Sequence, residues 1–235
     1  KTYKEVDPFS CETLMDTTGF PWLLAKQNSM ALPIRRGHFI VIAMRPNRGK
    51  TALALAQVCS MIKSGIPDNK KKVLWVNNEG TGEVIQKRYY ATLLQVSSDQ
   101  VTHLYKKHRL RDEVTAHEHG WVFKIIDAHT LTSREIDRVV EREQPSIVVL
   151  DMLDNIEYTS GEYGKGYRPD LDLELVYQWA RIMAVKHDCV VIATSQLSAK
   201  ADETSLPTAS MLAGSTTGKQ AATDVIVLAS NPSEE

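Results

Sequence analysis

Short apolar runs bounded by polar turns recur along the chain. They fall at Phe39–Ala43, Val73–Val76, Trp121–Ile126, Ser146–Leu150, Cys189–Ala193 and Asp224–Leu228. The runs are continuously apolar, as expected of strands covered on both faces. Longer segments with helical spacing lie between them. One opens at Lys50-Thr51 and stops at Gly65-Ile66-Pro67. A second spans residues 82–96, with Val84, Ile85, Arg88, Tyr89 and Leu93 on one stripe. A third starts at a capping box, Thr132 with Glu135, and ends before Pro145. A fourth runs from Pro169-Asp170 to Lys186, and its stripe of Leu171, Leu175, Trp179, Ile182 and Met183 reads as core. Strands alternating with helices or long crossovers predict an α/β fold: a mostly parallel twisted sheet with helices on both faces.

The remaining segments are connections. Residues 1–30 read as an N-terminal linker or arm, either reaching over a neighbour or covering the core, with a short helix from Asp7-Pro8 to about Asp16. Residues 31–235 form the core. Lys70-Lys71-Lys72 reads as a solvated connection, and the stretch holding His103, Lys106, Lys107, Arg109 and Arg111 as exposed helix. Residues 154–169, with three glycines and three tyrosines, read as a long mobile loop. Residues 200–219 are small and polar, suited to giving backbone N–H groups and hydroxyls to phosphates.

Composition narrows the function classes. A chain of 235 residues, 43% hydrophobic and 24% charged, can bury a sizeable core as one large domain. Its formal net charge of −1 gives no global basic field, so nucleic-acid contact has to come from local patches. Cys11, Cys59 and Cys189 are scattered and odd in number, which fits a reducing cytoplasm rather than a disulfide framework. His117 and His119 flank Glu118 in a polar stretch that does not read as a metal site. No apolar run approaches the roughly 20 residues that span a bilayer, and no signal peptide is present. The chain opens at Lys1 without a methionine and reads as a piece of something longer.

The candidate chemistry sits at the first strand-to-helix joint, HFIVIAMRPNRGKTALALA. Gly49-Lys50-Thr51 between a buried strand and a helix is the arrangement of a phosphate-binding loop. Loop N–H groups and the positive end of the helix converge there on phosphate oxygens. Arg45, Pro46, Asn47, Arg48, Gly49, Lys50, Thr51 and Ala52 make up the candidate nucleotide-binding stretch, with Lys50 for the β- and γ-phosphates and Thr51 for Mg²⁺. Met44 occupies the place where the formal pattern has its first glycine. Glu79, Asp151 and Gln196 each follow an apolar strand, on the ligand-binding edge of a parallel sheet. Glu79 can align water for attack on a γ-phosphate, Asp151 can make a second Mg²⁺ contact, and Gln196 can hydrogen-bond the γ-phosphate and register its loss.

These segments resemble DnaB-type replicative helicases. MRPNRGKTALALA looks like the family's Walker A segment, VLWVNNEGTGEVIQKRYYATLLQVS its next motif, SIVVLDML its Walker B and VVIATSQLS its glutamine motif. LAGSTTGKQAATDVIVL resembles the last motif, which includes a DNA-binding loop. The resemblance covers roughly residues 30 to 230 in order. It implies a RecA-like P-loop ATPase motor domain, of bacterial or phage replication type, using ATP and Mg²⁺. It also implies a homo-hexameric ring, single-stranded DNA as partner, and contacts with primase and other replisome proteins. The roles it implies are Lys50, Glu79 and Gln196 in catalysis and Thr51 with Asp151 at the metal. Lys200, Gly214, Ser215, Thr216, Thr217, Gly218 and Lys219 fall on the DNA side. The family's arginine finger lies beyond the last strand of this sequence. A recombination or repair ATPase of the same fold, or an ATP-switched DNA-binding module, remains an alternative.

Overall fold

Alternate residues of the central strands feed two different apolar layers. The computed structural model describes residues 18–159, 169–204, 206–214 and 216–228. Its sheet has six strands in the order β3-β2-β4-β5-β1-β6, and every pairing between them is parallel. They are β1 (Phe39–Met44), β2 (Lys72–Asn77), β3 (Val122–Asp127), β4 (Ile147–Asp151), β5 (Val190–Gln196) and β6 (Val225–Leu228). Phe39, Val41 and Ala43 pack into one layer with Leu74, Val76, Val148, Leu150 and Val191. Ile40 and Ile42 pack into the other with Val73, Trp75, Ile147, Val149 and Ile192. This two-sided burial is why the inner strands carry no polar face. The edge strands β3 and β6 are only half-buried, so for them continuous apolarity overstates the burial.

The helices between the strands are α1 (Ala25–Met30), α2 (Lys50–Lys63), α3 (Gly82–Leu94), α4 (Ser98–Lys106), α5 (Leu110–Glu118), α6 (Ser133–Glu143), α7 (Pro169–Lys186) and α8 (Thr216–Ala222). Helices α2 and α3 cover one face, through Leu55, Val58, Ile62, Ile85 and Tyr89. Helices α6 and α7 cover the other, through Ile136, Val140, Val176, Tyr177 and Met183. Helix α6 begins as its sequence dictates: the Thr132 N–H donates to Glu135 Oε2 at 2.9 Å, and Thr132 Oγ1 accepts the Glu135 N–H.

Three expectations are corrected. Helix α7 buries Val176, Tyr177, Ala180, Met183 and Ala184, whereas Ile182 is 61% exposed and Leu175 and Trp179 only partly covered. Two alanines, Ala180 and Ala184, share the buried face with Val176, Tyr177 and Met183. The Leu171 side chain lies outside the described residues. On α3, Ile85, Tyr89 and Leu93 are buried, but Val84 and Arg88 face outward. Of the N-terminal stretch, Phe20 and Trp22 are buried in the α2 layer and Gln57 Nε2 donates to the Pro21 carbonyl at 3.0 Å, whereas α1 buries no residue. The helix expected from Asp7 to Asp16, and most of the loop expected at 154–169, lie outside the described residues.

Lys70-Lys71-Lys72, the third, is not the solvated run that its charges suggest. Lys70 Nζ donates to the carbonyls of His187 and Asp188, just past α7, at 2.8 Å each. Lys71 Nζ donates to the carbonyl of His119, just past α5, at 3.1 Å. Lys72 Nζ donates to the carbonyl of Glu143, the last residue of α6, at 2.8 Å. Three successive cations thus satisfy the orphan carbonyls of three helix ends and meet their negative dipole ends.

Glu143 completes this cluster by binding Lys124, Arg142 and Lys72. The Lys124 ammonium in particular holds its carboxyl down at about 2, against an ordinary 4.5. A depressed carboxylate contributes stability above its unfolded pKa and loses it as pH falls through the folded one. Glu143→Gln is therefore expected to be less stable than wild type at neutral pH. The gap should close as pH falls from about 4.5 towards about 2. Urea titrations at stepped pH measure it, and a gap independent of pH contradicts the assignment.

Candidate active site

Strand β1 runs through Met44, the position where the formal loop pattern has its first glycine. Met44 is still in register with Gln196, and its carbonyl accepts the Leu197 N–H at 3.0 Å. The chain then turns at residues 45–49. Asn47 (φ 59) and Gly49 (φ 93) take the left-handed conformation, and Gly49 is the N-cap of α2. A β-carbon at Gly49 would meet no atom within 4 Å, so the backbone angle rather than crowding favours glycine there. Pro46 and Arg48 are exposed. The Arg45 guanidinium is engaged away from the loop's mouth: Nε and Nη2 bind the Asp202 carboxylate at 2.8–2.9 Å, and Nη1 donates to the Leu197 carbonyl at 2.9 Å. Those bonds hold the Asp202 carboxyl below its ordinary range. Arg45 thus serves as a strut, and only its backbone belongs to the loop.

Lys50 opens α2 and is 4% exposed, yet among the described residues its ammonium makes no hydrogen bond or ion pair. The Thr51 hydroxyl donates to both Asp151 carboxylate oxygens, at 3.2 and 3.3 Å. Asp151 is fully buried at the end of β4, where the Thr194 hydroxyl donates to Oδ1 at 2.8 Å. Burial raises the Asp151 pKa, and the nearby charge of Glu79 raises it further. The Thr194 and Thr51 hydroxyls and the Lys50 charge act in the opposite direction.

Glu79 lies on the exposed loop after β2. It lines a cleft of about 610 Å³ together with Asn47, Gly49, Lys50, Thr51, Ala52 and Arg88. Asp151 stands behind that cleft through Thr51. Gln196 ends β5 beside Met44 and is not among the residues lining the cleft. Among the described residues there is no group of three or more His, Cys, Asp or Glu placed to hold a metal. The oxygens present are one hydroxyl and one carboxylate. That set suits Mg²⁺, which keeps several waters and takes the rest of its shell from phosphates.

Three contributors are not evident in the sequence. Thr194 reads there only as the end of a strand, yet it orients Asp151. Asp202 anchors Arg45. Arg88, expected on an apolar stripe, instead lines the cleft. An Arg nine residues after Glu79, out of phase with the buried Ile85 and Tyr89, is the available signal.

The expected DNA-side residues scatter. Lys200 and Thr217 are exposed, and Gly214 (φ 79) is exposed as well. Ser215 and the Thr216 side chain lie outside the described residues. Gly218 abuts Glu174 on α7, where a β-carbon would collide. Lys219 is fully buried, with Nζ 2.7 Å from Asp154 Oδ1, so as placed it is no exposed DNA contact. The segment is also not simply a loop: it carries 3-10 turns at Ala199–Glu203 and Ala209–Met211, then α8.

Thr194→Val tests the support of Asp151. Besides donating to Asp151, the Thr194 hydroxyl accepts the Met152 N–H at 2.7 Å. Valine keeps the shape, strands the buried Met152 N–H and leaves Asp151 Oδ1 only the longer bond from Thr51, at a cost of about 1–3 kcal/mol. The Mg²⁺ concentration giving half-maximal activity should rise by about 10-fold, as is usual when an outer-shell partner of a metal ligand is lost. Thr194→Ser should recover most of both effects. Chemical denaturation and a Mg²⁺ titration of turnover measure them, and an unchanged Mg²⁺ requirement removes Thr194 from the metal's support.

The chain resembles proteins of known kind along most of its length. Replicative DNA helicase DnaB of Mycoplasma genitalium is 28% identical over 177 residues, which is 71% of this chain but 36% of that protein. The chain therefore spans about a third of that relative. One solved structure, an isolated ATPase domain, superposes with a TM-score of 0.72 at 22% identity, covering 94% of this chain and 84% of the other. A DnaB-like replicative helicase, solved in a study of its interactions with primase, gives the same TM-score and identity over 94% of this chain and 57% of the other. The fold they share with this chain is the RecA-like parallel sheet. The AAA domain family matches residues 15–202, four-fifths of the chain, and the chain belongs to that family.

Proposed function

We propose that this chain is the motor portion of an ATP-dependent replicative DNA helicase. It hydrolyses ATP at the boundary between subunits of a homo-hexameric ring, moves along single-stranded DNA and separates the duplex. Lys50 carries the reading: a cation sunk at a helix N-terminus, without a protein partner among the described residues, calls for an anion. A triphosphate supplies one. Thr51 Oγ1 and Asp151 would hold Mg²⁺, which when bound neutralises charge on the β- and γ-oxygens.

The protein's own residues do the rest. Backbone N–H groups around Gly49 and the Lys50 ammonium bind phosphate oxygens. Glu79 orients a water molecule and takes its proton as the water oxygen bonds to the γ-phosphorus. The bond from that phosphorus to the β-bridging oxygen breaks, leaving ADP and inorganic phosphate. Gln196 senses the terminal phosphate from the end of β5. A neighbouring subunit supplies the arginine that stabilises the transition state. The likeness to DnaB in sequence, and to an ATPase domain and a DnaB-like helicase in fold, supports this class of motor. Primase is the partner proposed by analogy with the DnaB-like helicase studied with it. No helix among the described residues is long and apolar enough to cross a membrane, and a cytoplasmic location is proposed.

The test is phosphate release by the native-length protein with and without an oligothymidylate. Stimulation by the oligonucleotide, together with unwinding of a forked duplex, is the expected result. Tight nucleotide binding with no turnover under either condition overturns the motor in favour of an ATP-switched binding module. Strand exchange on filaments without unwinding favours a recombination ATPase.

A further inference from the structure

Asp154 lies just beyond β4, in the 3-10 turn Leu153–Asn155, and joins four separate parts of the chain. Its carboxylate accepts the Tyr177 hydroxyl of α7 at 2.9 Å and the Ser195 hydroxyl of β5 at 2.7 Å. It accepts the backbone N–H of Gln196 at 3.2 Å. It also accepts the Lys219 ammonium of α8 at 2.7 Å. The Lys219 side chain is 1% exposed, and its Nζ sits 4.8 Å from the centre of the Tyr177 ring.

A buried ion pair of this kind is a poor source of stability, because desolvation consumes most of what the attraction returns. An apolar residue in place of Lys219 would hold α8 as well. What the pair adds is a directional tie between α8 and one carboxylate. That same carboxylate fixes the backbone of Gln196, the residue proposed to sense the terminal phosphate. A second set of bonds runs in parallel: the Ala213 N–H donates to the Gln196 carbonyl at 3.0 Å, and the Ser198 N–H to the Met211 carbonyl at 2.7 Å. A shift of the β5 terminus is therefore passed to the Ala209–Met211 turn through its backbone and to α8 through Asp154.

We propose that the buried Asp154–Lys219 pair is a positioning link: it makes α8 follow the end of β5, so that nucleotide state sets affinity for single-stranded DNA. The inference rests on the motor reading above. It assigns Lys219 a task other than touching DNA. Neither residue need meet nucleotide or DNA. The pair acts only through Gln196 on one side and through α8 on the other.

The experiment compares the affinity of the native-length protein for a labelled oligothymidylate with a non-hydrolysable ATP analogue and with ADP. The ratio of the two affinities is the coupling, commonly about 5- to 150-fold in such linked systems. In Lys219→Met the ratio is expected to fall to within about twofold of unity. KM for ATP should stay within about twofold of wild type, while the DNA-stimulated part of kcat is lost. The double variant Asp154→Asn with Lys219→Met should lose no more coupling than Lys219→Met alone, because the two residues act as one unit. A residue that merely stabilised the fold would lower both affinities and leave the ratio alone.

Hydrogen exchange on the wild-type protein tests the link without any substitution. Amides of α8 should change protection between the ATP analogue and ADP. A wild-type ratio in Lys219→Met, or α8 exchange that is the same with both nucleotides, overturns the inference. A wild-type protein that neither hydrolyses ATP nor binds the oligonucleotide overturns the motor reading instead, and the inference with it.

Discussion

Lys50→Met is expected to make the nucleotide-free protein more stable while removing its response to ATP. Lys50 is almost wholly buried at the opening of α2 and has no ion pair or hydrogen bond to its ammonium among the described residues. Its stem is buried, but its ammonium is not among the buried unsatisfied atoms and it attracts the buried Asp151 carboxylate, so the desolvation penalty, up to several kcal/mol for a wholly buried lone ion, is only partly expressed. Methionine keeps the length of the stem and removes the charge. A gain of about 1–2 kcal/mol follows, worth about 2–4 °C in melting temperature for each kcal/mol in a chain of this size. The wild-type protein should in turn gain about 2.7 kcal/mol when Mg²⁺–ATP is present at about 100 times its dissociation constant. Lys50→Met should gain almost nothing. Turnover should fall by at least about 10² to 10³, the usual consequence of deleting one preorganised charge at a developing anion. Thermal scans with and without Mg²⁺–ATP, paired with phosphate release, read all three quantities. A nucleotide-free Lys50→Met protein that melts lower than wild type would mean that the attraction between Lys50 and Asp151 outweighs the desolvation of the ammonium, and the proposed function would lose its main support.

Such a trade of stability for function is also what made the site legible. The inner strands were readable because two-sided burial leaves them no polar face, and β1 and β4 are buried at every residue. The α6 capping box was readable because it is local, needing only Thr132 and Glu135 three residues apart. The phosphate loop was readable for the same reason: strand, turn and helix are contiguous, so Gly49-Lys50-Thr51 fixes its own geometry.

What the sequence hid was set by contacts distant along the chain. Lys70, Lys71 and Lys72 look like a solvated run until three helix ends are brought to them. Lys219 looks like a phosphate contact until Asp154 is placed beside it, 65 residues away in sequence. Arg45 sits inside the loop motif, yet its side chain is spoken for by Asp202. A lone charge in sequence gives its sign but not its partner. On α7 the error had another source. Counting large apolar residues ignored Ala180 and Ala184, which lie on the buried face with Tyr177 and Met183. Size complementarity decides which face turns inward, and a hydrophobicity pattern does not carry it.

Glu79→Gln should separate binding from chemistry where Lys50→Met removes both. The loop that carries Glu79 is braced from beneath. Asn77 Nδ2 donates to the Gly80 carbonyl at 3.1 Å and to Asp127 Oδ1 at 2.6 Å, and the Asn78 N–H donates to the Asp151 carbonyl at 3.2 Å. A β-carbon on Gly82 would come within 3.1 Å of Asp127 Oδ1, so the turn into α3 has little room to shift. The backbone at Glu79 is thereby referred to the end of β4, the strand that holds Asp151. Glutamine preserves the size and hydrogen bonding of the side chain but cannot take a proton from water. Loss of a positioned general base costs about 10² to 10⁴ in kcat. Lys50, Thr51 and Asp151 keep their places, and loss of the Glu79 charge favours the ionised Asp151 carboxylate, so KM for ATP and the thermal shift given by Mg²⁺–ATP should remain close to wild type. The pair of outcomes is diagnostic: Lys50→Met loses the thermal shift and turnover together, and Glu79→Gln loses turnover alone. Single-turnover phosphate release with excess protein isolates the chemical step from product release. If that step runs at the wild-type rate in Glu79→Gln, the attacking water is activated elsewhere and Glu79 is only a wall of the cleft. If the thermal shift disappears as well, Glu79 contributes to binding, and its charge beside Asp151 is part of how the metal is held.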